Sequence, residues 1–232
     1  MYKRQVLVQP SIYGSDNTLL LDTLAQHPQR LRGVAVVDAD VARDTLQSLH
    51  RAGVRGVRLN LVDRHDKAPG LPWDDLRLLA GKVAPLGWHL ELLIHVDEHA
   101  DDLPALTQLG VPVVLAHFGY PSVSAAARLT AAQALVQSLA GGQLWLKLTG
   151  PYRISAGNLP YPEAQAMADT LRSARTDRLV WGSDWPHVNL RREMPADGDL
   201  LDLLAAWIPD AQDREQVLVH NPQRLYGFDA PA

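Results

Sequence analysis

The sequence predicts an α/β fold, a TIM-type (β/α)8 barrel that contains seven strands and lacks its first. Three observations predict it. Short apolar runs alternate with helical patterns from end to end. They recur at intervals close to the roughly 30 residues of a βα unit. No glycine-rich phosphate loop follows the first run, as an open dinucleotide-binding sheet would require. Strict alternation indicates a parallel sheet with crossover helices, and one more unit would give eight strands and about 260 residues, the usual barrel size.

Seven strands and several amphipathic helices are predicted in chain order. The strands are 6–9, 33–37, 56–60, 89–96, 111–117, 144–149 and 179–183. Between them, apolar residues recur at i, i+3, i+4 and i+7, the spacing that forms one face of a helix. The residues with this spacing are Leu76, Leu79, Ala80 and Val83, then Ala164, Met167, Ala168 and Leu171, and near the C-terminus Leu200, Leu203, Leu204 and Trp207.

The chain is expected to form one domain over residues 6–232, because no linker or composition break divides it. Residues 1–5 enter the first strand without a cap, turn or signal-peptide pattern, and we predict that they are a non-native start. On this hypothesis the strand that should precede Val6 is missing. Two strands would then have unpaired backbone edges. The 232-residue chain alone is therefore expected to be poorly soluble and nearly inactive.

Composition excludes several classes of protein. The 22 basic and 26 acidic residues give a net charge of −4, which argues against nucleic-acid binding because that usually requires a basic surplus. No run of 18 apolar residues is present, so no membrane span is expected. With no cysteine, the chain has no disulfide, thiolate metal site or cysteine nucleophile. Nothing demands export, and a cytoplasmic location is the expectation, whereas the oligomeric state stays open.

Polar residues stand where the predicted strands end. In a barrel, the carboxyl ends of the strands and the loops after them carry the catalytic groups. Contact with water explains any one polar residue at a strand end. Several polar strand ends that converge on one rim instead favour a functional site. The candidates are Arg58 and Asn60 on the third strand, Arg64 in the loop after it, His95 on the fourth strand, His117 on the fifth, Arg153 in the loop after the sixth, and Asp184 after the seventh.

Strand alternation predicts how some of these side chains are oriented. His117 shares a face with Val113 and Leu115, so it points at the barrel mouth if those two residues fill the barrel. Glu91 and Lys147 are expected to meet inside the barrel as a structural ion pair, because a buried charge needs a partner.

Asp184 and His117 suit hydrolysis. A carboxylate at the mouth can take a proton from water, and a nearby imidazole can polarise the carbonyl that is attacked. Arginines on the same rim would bind a carboxylate substrate through charge-assisted hydrogen bonds and would favour the ionised form of Asp184. For Arg64, a solvated loop charge is an equally good interpretation.

Several segments of the chain resemble the amidohydrolase-related family, in particular its 2-pyrone-4,6-dicarboxylate lactonase branch. The segments are 8–11, 13–17, 56–60, 116–119, 147–153, 181–187 and 221–227, and Gly-Ser-Asp-Trp-Pro-His at 182–187 is the most specific. The resemblance covers nearly all of the chain after residue 5 and implies a distorted (β/α)8 barrel. It implies that Asp184 activates water and that His117 helps to polarise a lactone carbonyl. It also implies that Arg58, Arg64 and Arg153 bind substrate carboxylates.

One departure from the family pattern leaves alternatives open. The family carries a His-x-His pair at the end of its first strand, and no such pair precedes Val6. Many members of the wider superfamily bind zinc through that pair, whereas the lactonase branch works without metal. His95, His117 and Asp184 are three candidate ligands for a zinc-dependent amidohydrolase or decarboxylase.

The favoured prediction is a metal-independent hydrolase with no cofactor, acting on a small lactone or related cyclic ester that carries carboxylates. Asn60 and His95 are expected to assist the arginines in binding it. A third hypothesis is a catalytically inactive barrel that only binds anionic metabolites.

Overall fold

The computed structural model describes residues 4–63 and 70–229. Within them, seven strands form one parallel sheet whose spatial order is the order of the chain. The strands are β1 (Gln5–Val8), β2 (Leu31–Ala35), β3 (Val54–Asn60), β4 (His89–Leu93), β5 (Val113–Leu115), β6 (Leu144–Leu148) and β7 (Leu179–Trp181). The helices are α1 (Thr18–Gln26), α2 (Arg43–Arg51), α3 (Trp73–Val83), α4 (Leu103–Leu106), α5 (Ala125–Leu139), α6 (Pro162–Arg175), α7 (Asp197–Trp207), α8 (Ala211–Glu215) and α9 (Asn221–Tyr226).

The predicted α/β fold and its seven strands are confirmed. At least one helix follows every strand, and the three predicted apolar helix faces lie on α3, α6 and α7. The strand ends differ by a few residues. The fourth and fifth strands, predicted as 89–96 and 111–117, end at Leu93 and Leu115. No helix in the described parts of the chain is long and apolar enough to cross a bilayer.

The two faces of the sheet pack against different partners. Val113 and Leu115 of β5 belong to the main core, which lies between the sheet and the helices. Val114 points the other way and joins a second cluster with Val34 of β2 and Val180 of β7. Because this cluster connects strands far apart in the sheet, the sheet curls around it, as in a TIM-type barrel. Val113 and Leu115 therefore do not fill the barrel, and the predicted orientation of His117 needs another cause.

The C-terminal segment packs inside the curl. Leu225 and Tyr226 of α9 and the following Phe228 belong to the inner cluster. The Tyr226 ring packs edge-on against His89, with 5.3 Å between the ring centroids. His89 is fully enclosed, and its ring lies over the backbone of the neighbouring strand at Gly56. β1 and β7 are the edge strands of the sheet. Within the described residues, each pairs with one neighbour, β1 with β2 and β7 with β6.

Gly56→Ala is expected to destabilise the fold by about 1–3 kcal/mol, the usual effect of overfilling a packed interior. A Cβ atom at this position would lie 2.3 Å from Cε1 of His89, which cannot move far inside its enclosure. Urea denaturation measures the change. Gly81→Ala in α3, where a Cβ would meet no atom within 4 Å, is the matched control and is expected to be neutral or stabilising. Equal stability of the two variants would contradict this account of the packing.

Candidate active site

Asp184 lies on the rim formed by the carboxyl ends of the strands, two residues beyond Gly182, in the segment that follows β7. Its backbone has a φ of 64°, a left-handed conformation that aspartate tolerates better than most residues. Oδ2 of the carboxylate accepts hydrogen bonds from Tyr152 Oη at 2.6 Å and from Arg153 Nε at 2.7 Å. The side chain is 18% exposed, so the carboxylate is held by the protein but open to a small molecule.

His117 faces the other oxygen of the same carboxylate. Its Nε2 atom is 3.8 Å from Asp184 Oδ1, and its Nδ1 atom is 2.9 Å from Thr149 Oγ1. The backbone N–H of His117 also donates to Thr149 Oγ1, at 3.3 Å. The threonine hydroxyl can either donate to Nδ1 or accept from it, so the group that faces Nε2 decides the tautomer. Because Nε2 faces the Asp184 carboxylate, which can only accept when ionised, we assign the proton of the neutral ring to Nε2.

A glycine allows these side chains to converge. Gly150 follows β6 with a φ of 58°, and a Cβ atom there would lie 3.0 Å from Asp184 Oδ2 and 3.0 Å from His117 Nδ1. It would also lie 3.1 Å from Cδ of Arg153. Any side chain at this position would force the three groups apart.

The charges around Asp184 set its protonation state. Burial by itself would raise the pKa of the Asp184 carboxyl, but the His117 ring and the Arg153 guanidinium outweigh burial and lower that pKa. The hydrogen bonds from Tyr152 and Arg153 act in the same direction. Burial lowers the pKa of His117 to about 4, against the opposing effect of Asp184. At neutral pH the pair is therefore an ionised carboxylate beside an uncharged imidazole.

Arg58 and Asn60 form a second polar group near the carboxyl end of β3. Arg58 Nη1 donates to the Gln9 carbonyl at 3.2 Å and to Ser11 Oγ at 3.0 Å. Asn60 Nδ2 donates to the same hydroxyl at 2.8 Å and to Asp63 Oδ2 at 2.7 Å. The loop after β1 thus holds both predicted substrate-binding side chains in place.

His95 joins the site through a tyrosine. Its Nδ1 atom is 2.8 Å from the Tyr120 carbonyl, and the two rings pack with 4.8 Å between their centroids. The Tyr120 ring also packs edge-on against His117, at 5.5 Å. The predicted residue Arg64 lies outside the described residues.

Beneath the site, Lys147 Nζ forms an ion pair with Glu91 Oε2, as predicted. Both side chains are buried, and Arg58 is the cross-strand neighbour of Glu91. Burial would raise the pKa of Glu91, but the charges of Lys147 and Arg58 lower it instead.

Comparison with known proteins identifies the family. The sequence profile of the amidohydrolase family matches residues 2–228. The chain belongs to the amidohydrolase family. The 2-pyrone-4,6-dicarboxylate hydrolase of Comamonas testosteroni is 35% identical to it over 238 residues, which cover 97% of this chain and 76% of the relative. The 4-sulfomuconolactone hydrolase of Rhizobium radiobacter is 32% identical over 227 residues, again 97% and 76% of the two chains.

A solved structure supports the same relationship. The crystal structure of a 2-pyrone-4,6-dicarboxylic acid hydrolase, described as putative, from Pseudomonas putida matches this amidohydrolase with a TM-score of 0.86. The two are 34% identical, and the match covers 99% of this chain and 84% of the other.

The zinc ligands considered for this amidohydrolase do not fit a metal ion. Within residues 4–63 and 70–229, no three histidine, aspartate or glutamate side chains are arranged to hold one. The Asp184 carboxylate already forms an ion pair with the Arg153 guanidinium, and the positive charge of that group would repel a metal cation.

Sequence reasoning did not assign roles to Thr149, Tyr152 and His187, which the structure places around Asp184 and His117. All three lie inside the segments that carry the family resemblance, 147–153 and 181–187, and this was the available signal. Strand alternation could not reveal them because Tyr152 and His187 lie beyond the strand ends. The same applies to His117, whose φ of 50° turns the chain out of the β5 conformation and directs the ring toward Asp184.

Proposed function

We propose that this amidohydrolase hydrolyses a lactone or related cyclic ester that carries carboxylates, using water activated by Asp184 and no metal ion. The observation that carries the proposal is the pairing of the Asp184 carboxylate with the neutral His117 ring, 3.8 Å apart on a rim that also holds Arg153. The names of two relatives support the substrate class, because 2-pyrone-4,6-dicarboxylate and 4-sulfomuconolactone are both lactones with anionic groups.

Asp184 acts as the general base. Tyr152 and Arg153 both occupy Oδ2, which leaves Oδ1 to accept a proton from a water molecule at the mouth. As the water oxygen attacks the ring carbonyl, Oδ1 takes the proton. When the ring C–O bond breaks, the same proton moves to the leaving oxygen, so that the products are a carboxylic acid and a hydroxyl group, and the carboxylate is regenerated. Positioned acid–base catalysis of this kind contributes about 10²–10⁴ in rate.

His117 stabilises the charge that develops on the carbonyl oxygen. With its proton on Nε2, the ring directs this N–H group to the same space as Asp184 Oδ1, where it donates to the carbonyl oxygen of the substrate. A neutral donor is preferable here because a charged imidazolium next to Asp184 would bind the carboxylate and block the base.

Substrate carboxylates are bound by the remaining predicted residues. Arg58 and Asn60, both held by Ser11 Oγ, provide a guanidinium and an amide on the β3 side of the mouth. His95 contributes from the end of β4. Arg64, which lies outside the described residues, is assigned to the substrate on the family resemblance alone. Each charge-assisted bond to a carboxylate contributes about 1.5–3 kcal/mol.

The proposal is tested by measuring ring opening of 2-pyrone-4,6-dicarboxylate and of its dimethyl ester by ultraviolet absorbance. Enzyme is used in excess over substrate, so that single turnovers are measured. The dicarboxylate is expected to react at least about 100-fold faster than the diester, because each lost charge-assisted bond costs about tenfold or more. The rate is expected to be unchanged by a chelator. Faster hydrolysis of the neutral diester would contradict the substrate class, and a rate lost to the chelator and restored by zinc would contradict the metal-free mechanism.

The pH dependence of kcat/KM follows from the two shifted groups. Asp184 works when ionised, and its pKa is lowered, while His117 is a neutral donor above its pKa of about 4. We expect kcat/KM to be level from about pH 5 to pH 8 and to fall as the pH drops through about 4, since His117 then becomes protonated; protonation of Asp184, whose pKa is lowered, follows at lower pH. A steady-state profile between pH 3.5 and 8 measures this. An acidic limb near 6.5, the ordinary histidine value, would contradict the site's electrostatics.

A further inference from the structure

A row of side chains extends from Asp184 into the protein, and the mechanism above uses only its first member, Tyr152. Tyr152 Oη is 2.6 Å from Asp184 Oδ2 and 2.8 Å from His187 Nδ1. On the far side of the imidazole, His187 Nε2 is 3.4 Å from Asp197 Oδ1, at the first residue of α7. Tyr152 and His187 are both buried, so water does not replace the hydrogen bond that joins Tyr152 to Asp184 or the one that joins Tyr152 to His187.

The numbers of donors and acceptors fix the direction of these hydrogen bonds. A tyrosine hydroxyl has one proton, and an ionised carboxylate can only accept. The Tyr152 proton is therefore donated to Asp184. The Tyr152 oxygen then accepts from His187, which must carry a proton on Nδ1. His187 in this way fixes the rotation of the Tyr152 O–H bond.

The turn that carries Asp184 also holds His187. The His187 backbone N–H donates to the Asp184 carbonyl at 2.8 Å, closing a tight turn in which both residues have positive φ. Asp197 Oδ1, which has no hydrogen-bond partner among the described residues, lies 3.4 Å from the far edge of the ring. The turn thus fixes where the ring lies relative to the carboxylate.

We propose that Tyr152 and His187 are positioning residues that select which oxygen of Asp184 acts as the base. The donation from Tyr152 keeps Oδ2 turned toward the protein, beside Arg153 Nε, and thereby keeps Oδ1 turned toward His117 and the mouth. Without it, the carboxylate is held by Arg153 alone and can rotate about its Cβ–Cγ bond. This inference rests on the proposed function and adds the residues that orient its base.

The test compares Tyr152→Phe with a matched control, Tyr161→Phe. Tyr161 is also buried, with its ring centroid 6.3 Å from that of Tyr152. We expect Tyr152→Phe to lower kcat for 2-pyrone-4,6-dicarboxylate about 10-fold to 100-fold with KM changed less than threefold, since it removes one hydrogen bond to a charged group. Tyr161→Phe is expected to change neither. Rates are expressed per active site, counted by titration with a planar benzene dicarboxylate, because a smaller active fraction by itself lowers the apparent kcat and leaves KM unchanged. A purely structural effect of the lost hydroxyl would lower the Tm and the number of active sites but not kcat per active site.

Variants of His187 test whether a replacement donor preserves activity and whether His187 acts through Tyr152. In His187→Asn, the amide nitrogen can take the place of Nδ1 and donate to Tyr152, so most of the activity is expected to remain. His187→Leu has no donor and is expected to resemble Tyr152→Phe. The double variant Tyr152→Phe/His187→Leu is expected to be no slower than Tyr152→Phe, because both changes interrupt the same row. Additive losses, or equal losses in the asparagine and leucine variants, would overturn the inference.

Failure of the proposed function can be told apart from failure of this inference. If the unsubstituted chain opens none of the lactones, the proposed function fails, and crystal structures of the chain and of Tyr152→Phe decide the inference. A carboxylate of Asp184 turned away from its original plane in Tyr152→Phe supports it. An unchanged carboxylate overturns it.

Discussion

Asp184→Asn is expected to lower kcat for lactone hydrolysis about 10²-fold to 10⁴-fold, the share of the rate that a positioned base provides. Asparagine has nearly the same shape and tolerates the left-handed backbone at this position, where φ is 64°. It can still accept hydrogen bonds from Tyr152 and Arg153 through its amide oxygen, but it cannot take a proton from water. Single-turnover rates measure the loss, and calorimetric titration with a planar benzene dicarboxylate measures binding, which is expected to change less than threefold.

An equivalent substitution away from the site gives the control for Asp184→Asn. Asp202 is an exposed carboxylate on α7, and Asp202→Asn is expected to leave both rate and binding unchanged. If Asp184→Asn turned over as fast as the unsubstituted chain, Asp184 would not be the base. If it instead lost binding by the same factor as rate, Asp184 would act in recognition of the substrate.

Lys147→Met is expected to lower the free energy of unfolding by about 3–5 kcal/mol. The substitution leaves the Glu91 carboxylate buried without its ion-pair partner, and an uncompensated buried charge is costly. Arg58, the cross-strand neighbour of Glu91, offsets part of the cost. Urea denaturation near pH 7 measures the change.

The double variant Glu91→Leu/Lys147→Met separates charge from packing. It removes both charges and keeps roughly the same volume, so it is expected to recover most of the lost stability. If the double variant were as unstable as Lys147→Met, the loss would come from packing around the lysine stem. In the unsubstituted chain the lowered pKa of Glu91 means that the stability gained from the pair is present above the ordinary glutamate pKa and is lost as the pH falls below it.

Much of this architecture could be predicted from periodicity alone. Buried parallel strands have near-continuous apolar runs, and the helices between them repeat apolar residues at 3.6-residue intervals, so both element types are visible in the sequence. The faces of the short strands were less certain. In β5 every residue is apolar, and nothing in the run Val113–Leu115 distinguishes the helix side from the barrel side. Only the packing of Val114 against strands distant in the sequence decides it.

The site could be predicted as far as it depends on strand ends. Asp184 and His117 were predicted to lie close together because parallel strands bring their carboxyl ends to one rim, and their side chains are 3.8 Å apart. The direct contact of Arg153 with Asp184 was not predicted, since it depends on the turn at Gly150, where left-handed backbone brings the loop back under the carboxylate. Tyr152 and His187 were missed for the same reason. Backbone conformations of this kind follow from tertiary contacts and leave no periodic signal.

The non-glycine residues with left-handed backbone conformation have a consequence for selecting more thermostable variants of the protein. Within the described parts of the chain, the non-glycine residues with positive φ all lie in loops that follow β5, β6 and β7; they are His117, Phe118, Tyr120, Tyr161, Asp184, His187 and Asn189. Side chains in this region cost roughly 1 kcal/mol or more each relative to glycine. At the buried residues Phe118 and Tyr161 the packing lost with the ring outweighs this cost. Selection for heat resistance alone should therefore enrich glycine or asparagine at Asp184, and such thermostable clones would lose turnover. Screens that measure both thermostability and turnover would leave the loops after β5, β6 and β7 unchanged. The stabilising substitutions would then fall on the loops after β1 to β4.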